Sequence, residues 1–267
     1  MLERLHLRQR RLCLAIAPGN IALVHSGERR APAQVLAQWS GEPLAAASSG
    51  LPRQVAEVLG QAGQSGHDVR VVLADTLVRN WTVQPPENAS RLQDCEAAAA
   101  LRFSEVFGES PADWHISAAF DAQHAFLACA LPRTVLQSLL QVLQAQRLRL
   151  LSLEPECVAL WNHWQADLPH SAWLGICTEG SLVLGLAVAG RMQGMRRLPI
   201  GAGQRPPVAW LEQAVQREAA RLNLAAPTAL GLCGQVPSHW LGAHAAGLRC
   251  TALGSACDAR TLFGVAP

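Results

Sequence analysis

No lysine and no tyrosine occur in this chain, so its 22 cationic residues other than histidine are all arginine. The gap excludes whole classes of chemistry. A P-loop needs a lysine on the phosphates, a pyridoxal enzyme needs one for its Schiff base, and a protein kinase needs one on its third strand. The abundance of Ala, Arg, Gly and Pro fits a GC-rich coding bias as the origin of the loss. Aspartate is scarce too, and none stands at a spacing from glutamate that suits acid–base catalysis. No CxxC pair occurs among the cysteines at 13, 95, 129, 157, 177, 233, 250 and 257. Most lie inside apolar runs, as small buried hydrophobes do in a reducing compartment. There is no GxSxG elbow, and Ser48-Ser49-Gly50 reads as a helix entry. A net charge of +2 is too weak a field to draw nucleic acid. Arg4, Arg8, Arg10 and Arg11 resemble the start of a secretory signal, but the apolar run after them is too short for one. The best membrane-span candidate, 172–190, is broken by the polar turn at 178–181.

What is present is a pattern that occurs twice. Residues 12–17, 21–25 and 34–40 read as strands, with Pro18-Gly19-Asn20 and the stretch SGERRAP as turns. A helix follows, with Val55, Val58, Leu59 and Ala62 at helical spacing and Gly63 as its stop. The stretch VRVVLAD is a fourth strand. From Trp173 the order repeats: WLGIC, the turn TEGS, LVLGLAVAG, MQGMRRLPI, a helix opened by Pro206-Pro207, and ALGLCG. Two β-β-β-α-β units imply an α/β protein with two mixed sheets and flanking helices.

An insert of about 80–132 separates the units, so the halves are expected at 1–160, insert included, and 161–267. Its helix is expected to start on a Ser90–Gln93 capping box and to bury Leu92, Cys95, Ala99, Phe103, Val106 and Phe107 before Gly108 and Pro111 end it. Two strands follow, then a helix opened by Pro132 with Val135, Leu136, Leu139, Leu140 and Leu143 inward, a strand over 148–155 and a helix after Pro155. Trp161, Trp164 and Trp173 are expected in the core.

The duplicated unit is the layout of the actin-like ATPase fold. Residues 71–120 and 127–162 resemble the type IV pilus protein PilM, the MSHA pilus protein MshI and the cytoplasmic region of type II secretion protein L (GspL). The end of the chain, SACDARTLFGVAP, is similar to the closing helix of that family. The resemblance implies a non-enzymatic scaffold, cytoplasmic and peripheral at the bacterial inner membrane. Its implied partners are the cytoplasmic tail of a bitopic membrane protein, PilN-like or GspM-like, and the motor ATPase. A symmetric homodimer is the default expectation.

Actin-like folds hold Mg·ATP with acidic residues and backbone N–H groups of two hairpin turns and a Gly-rich third turn. The first turn here is Ala17-Pro18-Gly19-Asn20, without a carboxylate and short of one N–H at Pro18. The second is Cys177-Thr178-Glu179-Gly180-Ser181, with Cys177 at the expected Asp position and Glu179 as the stand-in. The third, around Gly234, has one glycine where two are usual. Gly19, Asn20, Glu179, Gly180, Ser181 and Gly234 are thus expected as a vestigial nucleotide site, with no cofactor and no turnover. The alternative is an actin-like switch or weak ATPase that uses Glu179. A sugar-kinase-like enzyme is disfavoured by the missing first-turn carboxylate. Partner contact is expected on the outer face of the insert helix, at Arg91, Arg102 and Glu105, with Glu96 beside them. Cys233, His239, His244 and Cys250 are spaced too widely for a usual zinc site, and His163 and His170 read as loop residues.

Overall fold

The computed structural model describes residues 12–25, 34–43, 50–169, 172–178, 180–201, 203–244 and 247–253. Expectations at the arginine-rich start, SGERRAP, Ser48-Ser49, His170, Glu179, Cys257 and the closing SACDARTLFGVAP lie outside these residues. In chain order the elements are β1 (Leu12–Ala17), β2 (Asn20–His25), β3 (Gln34–Ser40), α1 (Gly50–Ala62), β4 (Asp68–Leu73), β5 (Arg79–Val83), α2 (Leu92–Phe107), β6 (Trp114–Ala118), β7 (Phe126–Pro132), α3 (Arg133–Ala145), β8 (Arg149–Pro155), α4 (Glu156–Trp164), β9 (Ala172–Thr178), β10 (Ser181–Val188), β11 (Arg191–Pro199), α5 (Val208–Arg221), β12 (Ala229–Gly234), β13 (Gly242–Ala243) and β14 (Arg249–Ala252). No helix among the described residues is long and apolar enough to cross a membrane.

The chain forms two compact units. The first holds the residues up to Leu77 and from Arg133 to Glu154, built on a sheet of order β3-β2-β1-β4-β8. β1 and β2 are antiparallel, and β1 and β4 are parallel. The β1 residues Leu12, Cys13, Leu14, Ala15 and Ile16 are all buried, so the strand reads as an unbroken apolar run. α1 makes the crossover to β4 and buries Leu51, Val55, Val58 and Leu59; Gly63 ends it in the left-handed region at φ 60°. In α3 the buried positions are Val135, Leu139 and Leu143. Leu140, expected inward, is exposed, and Leu136 is half-buried. Five leucine and valine positions span more of the helix circumference than one packing face covers.

The second unit contains the insert, Val78 to Pro132, together with the described chain from Pro155 to Leu253. The insert therefore packs with the second half rather than with the first half that precedes it in sequence. Two close approaches account for this. A side chain on Gly194 of β11 would meet Thr82 Oγ1 of β5 at 2.4 Å, so glycine lets the Thr82 side chain pack directly onto the β11 backbone there. Asp121, between β6 and β7, pairs with Arg191 at the start of β11 at 2.9 Å. The main sheet of this unit has the order β11-β10-β9-β12-β14-β13, and its core holds Trp173, Leu182, Leu184, Leu211, Leu230 and Trp240. Trp161 is also buried, whereas Trp164 is half-buried. Glu218 of α5 is buried between Arg196 at 3.5 Å and Arg221 at 2.7 Å, which neutralise it.

The insert is α2 on a three-stranded sheet of order β5-β7-β6. Two strands are expected here from the sequence; the third, β5, is only five residues long with three polar side chains. The residue that caps α2 is Asp94, not Gln93. Its Oδ2 accepts from Ser90 N at 3.3 Å and Arg91 N at 3.1 Å, and the helix starts at Leu92. Cys95, Ala99 and Phe103 are buried, but Leu92 and Val106 are 57% and 46% exposed. A helix of this length is about 24 Å long and a five-residue strand about 16 Å, so the end turns overhang the sheet. Phe103 packs on Trp81, Phe107 and Trp114 with ring centroids 5.1 to 5.3 Å away. Arg79 lies over the Phe107 and Trp114 rings and pairs with Glu109 at 3.1 Å.

Asp121 fixes the tip of the insert. Its Oδ1 accepts from Gln123 N at 2.8 Å and His124 N at 3.1 Å. These donors, with His124 itself, hold the carboxyl below the usual carboxylate range. A lowered pKa in the folded state means the contribution is present above the ordinary value and fades as pH falls through the folded one. Asp121→Asn is therefore expected to speed amide exchange of residues 119–125 at neutral pH. The difference from the parent protein should fade as pH falls below the usual carboxylate range and through the lowered value, where the parent carboxyl is also protonated. Equal exchange at neutral pH would show that Asp121 orders nothing.

Candidate functional site: two hairpin turns and the loop after β12

The two units repeat each other down to single hydrogen bonds. Leu12 pairs with Val69 across β1–β4 and Trp173 with Leu230 across β9–β12, at the same sequence separation. Ala17 pairs with Asn20 across the first turn, and Thr178 with Ser181 across the second. Pro18 and Gly19 lie between the paired residues of the first turn, and Gly180 precedes Ser181 in the second. Asn20, expected in the turn, is the first residue of β2. In both units the hairpin glycine carbonyl accepts from the residue immediately after the third strand: Gly19 O from Gly41 N at 3.1 Å, Gly180 O from Ile200 N at 2.8 Å. Past the fourth strand, Ala74 N donates to Ile16 O and Gln235 N to Cys177 O, each at 2.8 Å.

Among the described residues, the polar side chains beside the turns, Asn20 and Ser181, bond within their own sheets. Asn20 Oδ1 accepts from Gln38 Nε2 at 3.3 Å on the neighbouring strand. Ser181 is 2% exposed, and its hydroxyl bonds Thr178 Oγ1 at 2.8 Å. Gly180 is left-handed at φ 84°, which its turn demands. Gly234 is left-handed at φ 85°, and a Cβ there would stand 2.2 Å from Cys177 O. That glycine allows the backbone after β12 to close on the end of β9, and the closure occupies Gln235 N–H.

Cysteine thiols lie around this point. Burial pushes the Cys177 thiol up to about 12 and the Cys250 thiol to about 11, and raises Cys233 as well. Neutral buried thiols carry no charge for a cation to read. Of the widely spaced Cys/His set, Cys233 Sγ donates to Gly175 O at 3.7 Å. His239 Nε2 lies 2.8 Å from Pro206 O and His244 Nε2 2.7 Å from Trp240 O. No group of three potential metal ligands is present among the described residues.

Sequence reasoning passed over Asp75, a buried carboxylate two residues beyond the end of β4 that already has an interaction partner. It also read Pro206-Pro207 only as a helix opening, whereas these residues wall a cavity of about 320 Å³. On α2, Arg91, Arg102 and Glu105 are exposed as expected. Arg102 and Glu105 are engaged with each other at 2.9 Å, an exposed pair of little energetic weight, and Arg91 sits at the opposite end of the helix.

No family model and no curated protein matches the sequence. Solved structures do match. The cytoplasmic domain of EpsL, an inner membrane component of the type II secretion system of Vibrio cholerae, is 14% identical with a TM-score of 0.61, over 95% of this chain and 92% of that one. The PilM–PilN type IV pilus biogenesis complex is 15% identical with a TM-score of 0.61, over 97% of this chain and all of that one. A protein of unknown function with actin-like ATPase fold from Bacteroides thetaiotaomicron is 12% identical with a TM-score of 0.55, over 89% and 87%. Each half, with its β-β-β-α-β order and its repeated turn bonding, agrees with these likenesses, and the chain has the actin-like ATPase fold.

Proposed function

We propose that this chain is a non-enzymatic cytoplasmic adaptor at the inner-membrane platform of a type II secretion or type IV pilus machine. It binds the cytoplasmic tail of a bitopic membrane protein, PilN-like or GspM-like, and through that platform serves the motor ATPase. Likeness to the EpsL cytoplasmic domain and to PilM supports the machine class.

One observation carries the non-enzymatic reading: in each unit the described polar groups at these turns and at the end of β12 are already engaged within the fold. Asn20 Oδ1, the Ser181 hydroxyl and Gln235 N–H all have intramolecular partners. Pro18 supplies no N–H, and Cys177 stands as a buried neutral thiol where a cation wants a carboxylate. Among the described residues, this donor set does not fit magnesium-bound ATP. Gly19, Gly180 and Gly234 serve the turns and the close backbone approach, a role that outlives nucleotide binding.

Calorimetric titration of the whole chain with ATP, with and without Mg²⁺, tests the reading. No heat is expected up to about millimolar nucleotide. Micromolar, Mg²⁺-dependent binding lost in Glu179→Ala would overturn it in favour of a nucleotide-gated switch.

A further inference from the structure

The second unit carries a cavity that the nucleotide turns do not use. It lies between the end of β11 and the start of α5. Pro199, Ile200 and Pro207 form its apolar wall, and Trp210 adds an indole. Arg205 and Gln204 supply the polar rim. At about 320 Å³ it sits at the small end of the range for ligand pockets, about 300–1,000 Å³, with room for one or two side chains.

This wall is held from behind. The Pro206 carbonyl accepts from Trp240 Nε1 at 2.9 Å and faces His239 Nε2 at 2.8 Å. The Trp210 ring lies nearly parallel to that of Trp240, at 17° and 6.0 Å. Trp240 is itself 1% exposed in the core. Pro206 and Trp210 are therefore held in place before anything enters, which keeps the ordering cost at that wall low.

A rigid surface of proline rings and an indole face is the chemistry that receives extended, proline-containing chain, because such a segment has little conformational freedom left to lose. Charge narrows the choice. Arg205 is exposed and has no ion-pair or hydrogen-bond partner among the described residues, and no carboxylate lines the cavity. An acidic group beside the docked side chain meets the guanidinium; a basic one is repelled.

We propose that this cavity is a docking site for an extended partner segment that seats a proline or aliphatic side chain against Trp210 and places an adjacent Asp or Glu on Arg205. The inference rests on the adaptor reading for the kind of partner, a peptide tail, and adds where and by what chemistry it docks.

Two fluorescein-labelled peptides test it by anisotropy against the whole chain: Pro-Pro-Leu-Pro-Asp-Glu and its twin ending in Arg-Arg. The acidic peptide is expected to bind at least about tenfold more tightly than the twin. Arg205→Glu, a change on the exposed rim, is expected to reverse that order without altering the melting temperature. Trp210→Ala is expected to lose binding of both. No binding of the acidic peptide at about millimolar protein, equal binding of the twins, or indifference to Arg205→Glu would each overturn the site. Displacement of the peptide by ATP would also overturn it, by assigning the cavity to nucleotide. The adaptor reading stands or falls separately, on the calorimetric titration.

Discussion

Gly234→Ala is expected to be among the most damaging single-atom-scale changes in this protein. The residue holds φ 85°, a region that costs a side chain about 1–2 kcal/mol. The larger cost is steric. The added methyl would stand 2.2 Å from Cys177 O, a backbone atom that no rotamer change can move aside. Relief requires β9 and β12 to part at their ends, which also breaks the Gln235 N to Cys177 O bond. Together these effects are expected to cost about 4 kcal/mol or more, a fall in melting temperature of about 8–16 °C. Gly203→Ala is the matched control. Gly203 is also left-handed, at φ 71°, but nothing lies within 4 Å of its Cβ position, so only the conformational term remains, about 1 kcal/mol. Calorimetric melts of the two variants measure the difference. If they melt within two or three degrees of each other, the close approach at Cys177 is not what Gly234 serves.

The second large effect is expected at Phe103. Its side chain is fully buried and touches the rings of Trp81, Phe107 and Trp114. Trp81 and Phe126 are the other large buried members of the insert core, and the half-buried Phe107 and Trp114 are anchored at the surface, so the space is not readily refilled. Phe103→Ala is expected to cost about 4 kcal/mol. The loss should be local, because the removed ring belongs to the α2 layer and not to the core around Trp173. Amide exchange resolved by peptide distinguishes the two. Protection of α2 and β5–β7 should fall by about two to three orders of magnitude, while that of β9, β10 and β12 changes by less than tenfold. Unchanged protection in α2 would mean that the helix is held by something other than this aromatic cluster.

The duplicated architecture was legible in the sequence because its signals are local. Apolar runs of strand length, helical spacing in Val55-Val58-Leu59 and Leu211-Ala214-Val215, and turn residues at Gly19 and Gly180 each act within a few positions. Their order, repeated, named the fold through resemblance to PilM and GspL. The missing carboxylate in the first turn was equally visible, since an absent residue type needs no coordinates to be noticed.

Only tertiary structure decided which half the insert joins. That rests on Gly194 against Thr82 and Asp121 against Arg191, pairs far apart in the chain whose meeting no local pattern encodes. It decided likewise that Asn20 and Ser181 turn into their hairpins, and that Gly234 is demanded by Cys177 O rather than by its own turn alone. The exposed ends of α2 belong to the same class, because a helical period tells which positions share a face but not how far the sheet beneath extends. The cavity beside Trp210 was hidden for the same reason. Its lining runs from the end of β11 to the first turn of α5, and what no local pattern shows is that Trp240, far along the chain, braces that stretch from behind. Short-range periodicity sets the elements; the distances at which backbones can approach, glycine by glycine, set what those elements build.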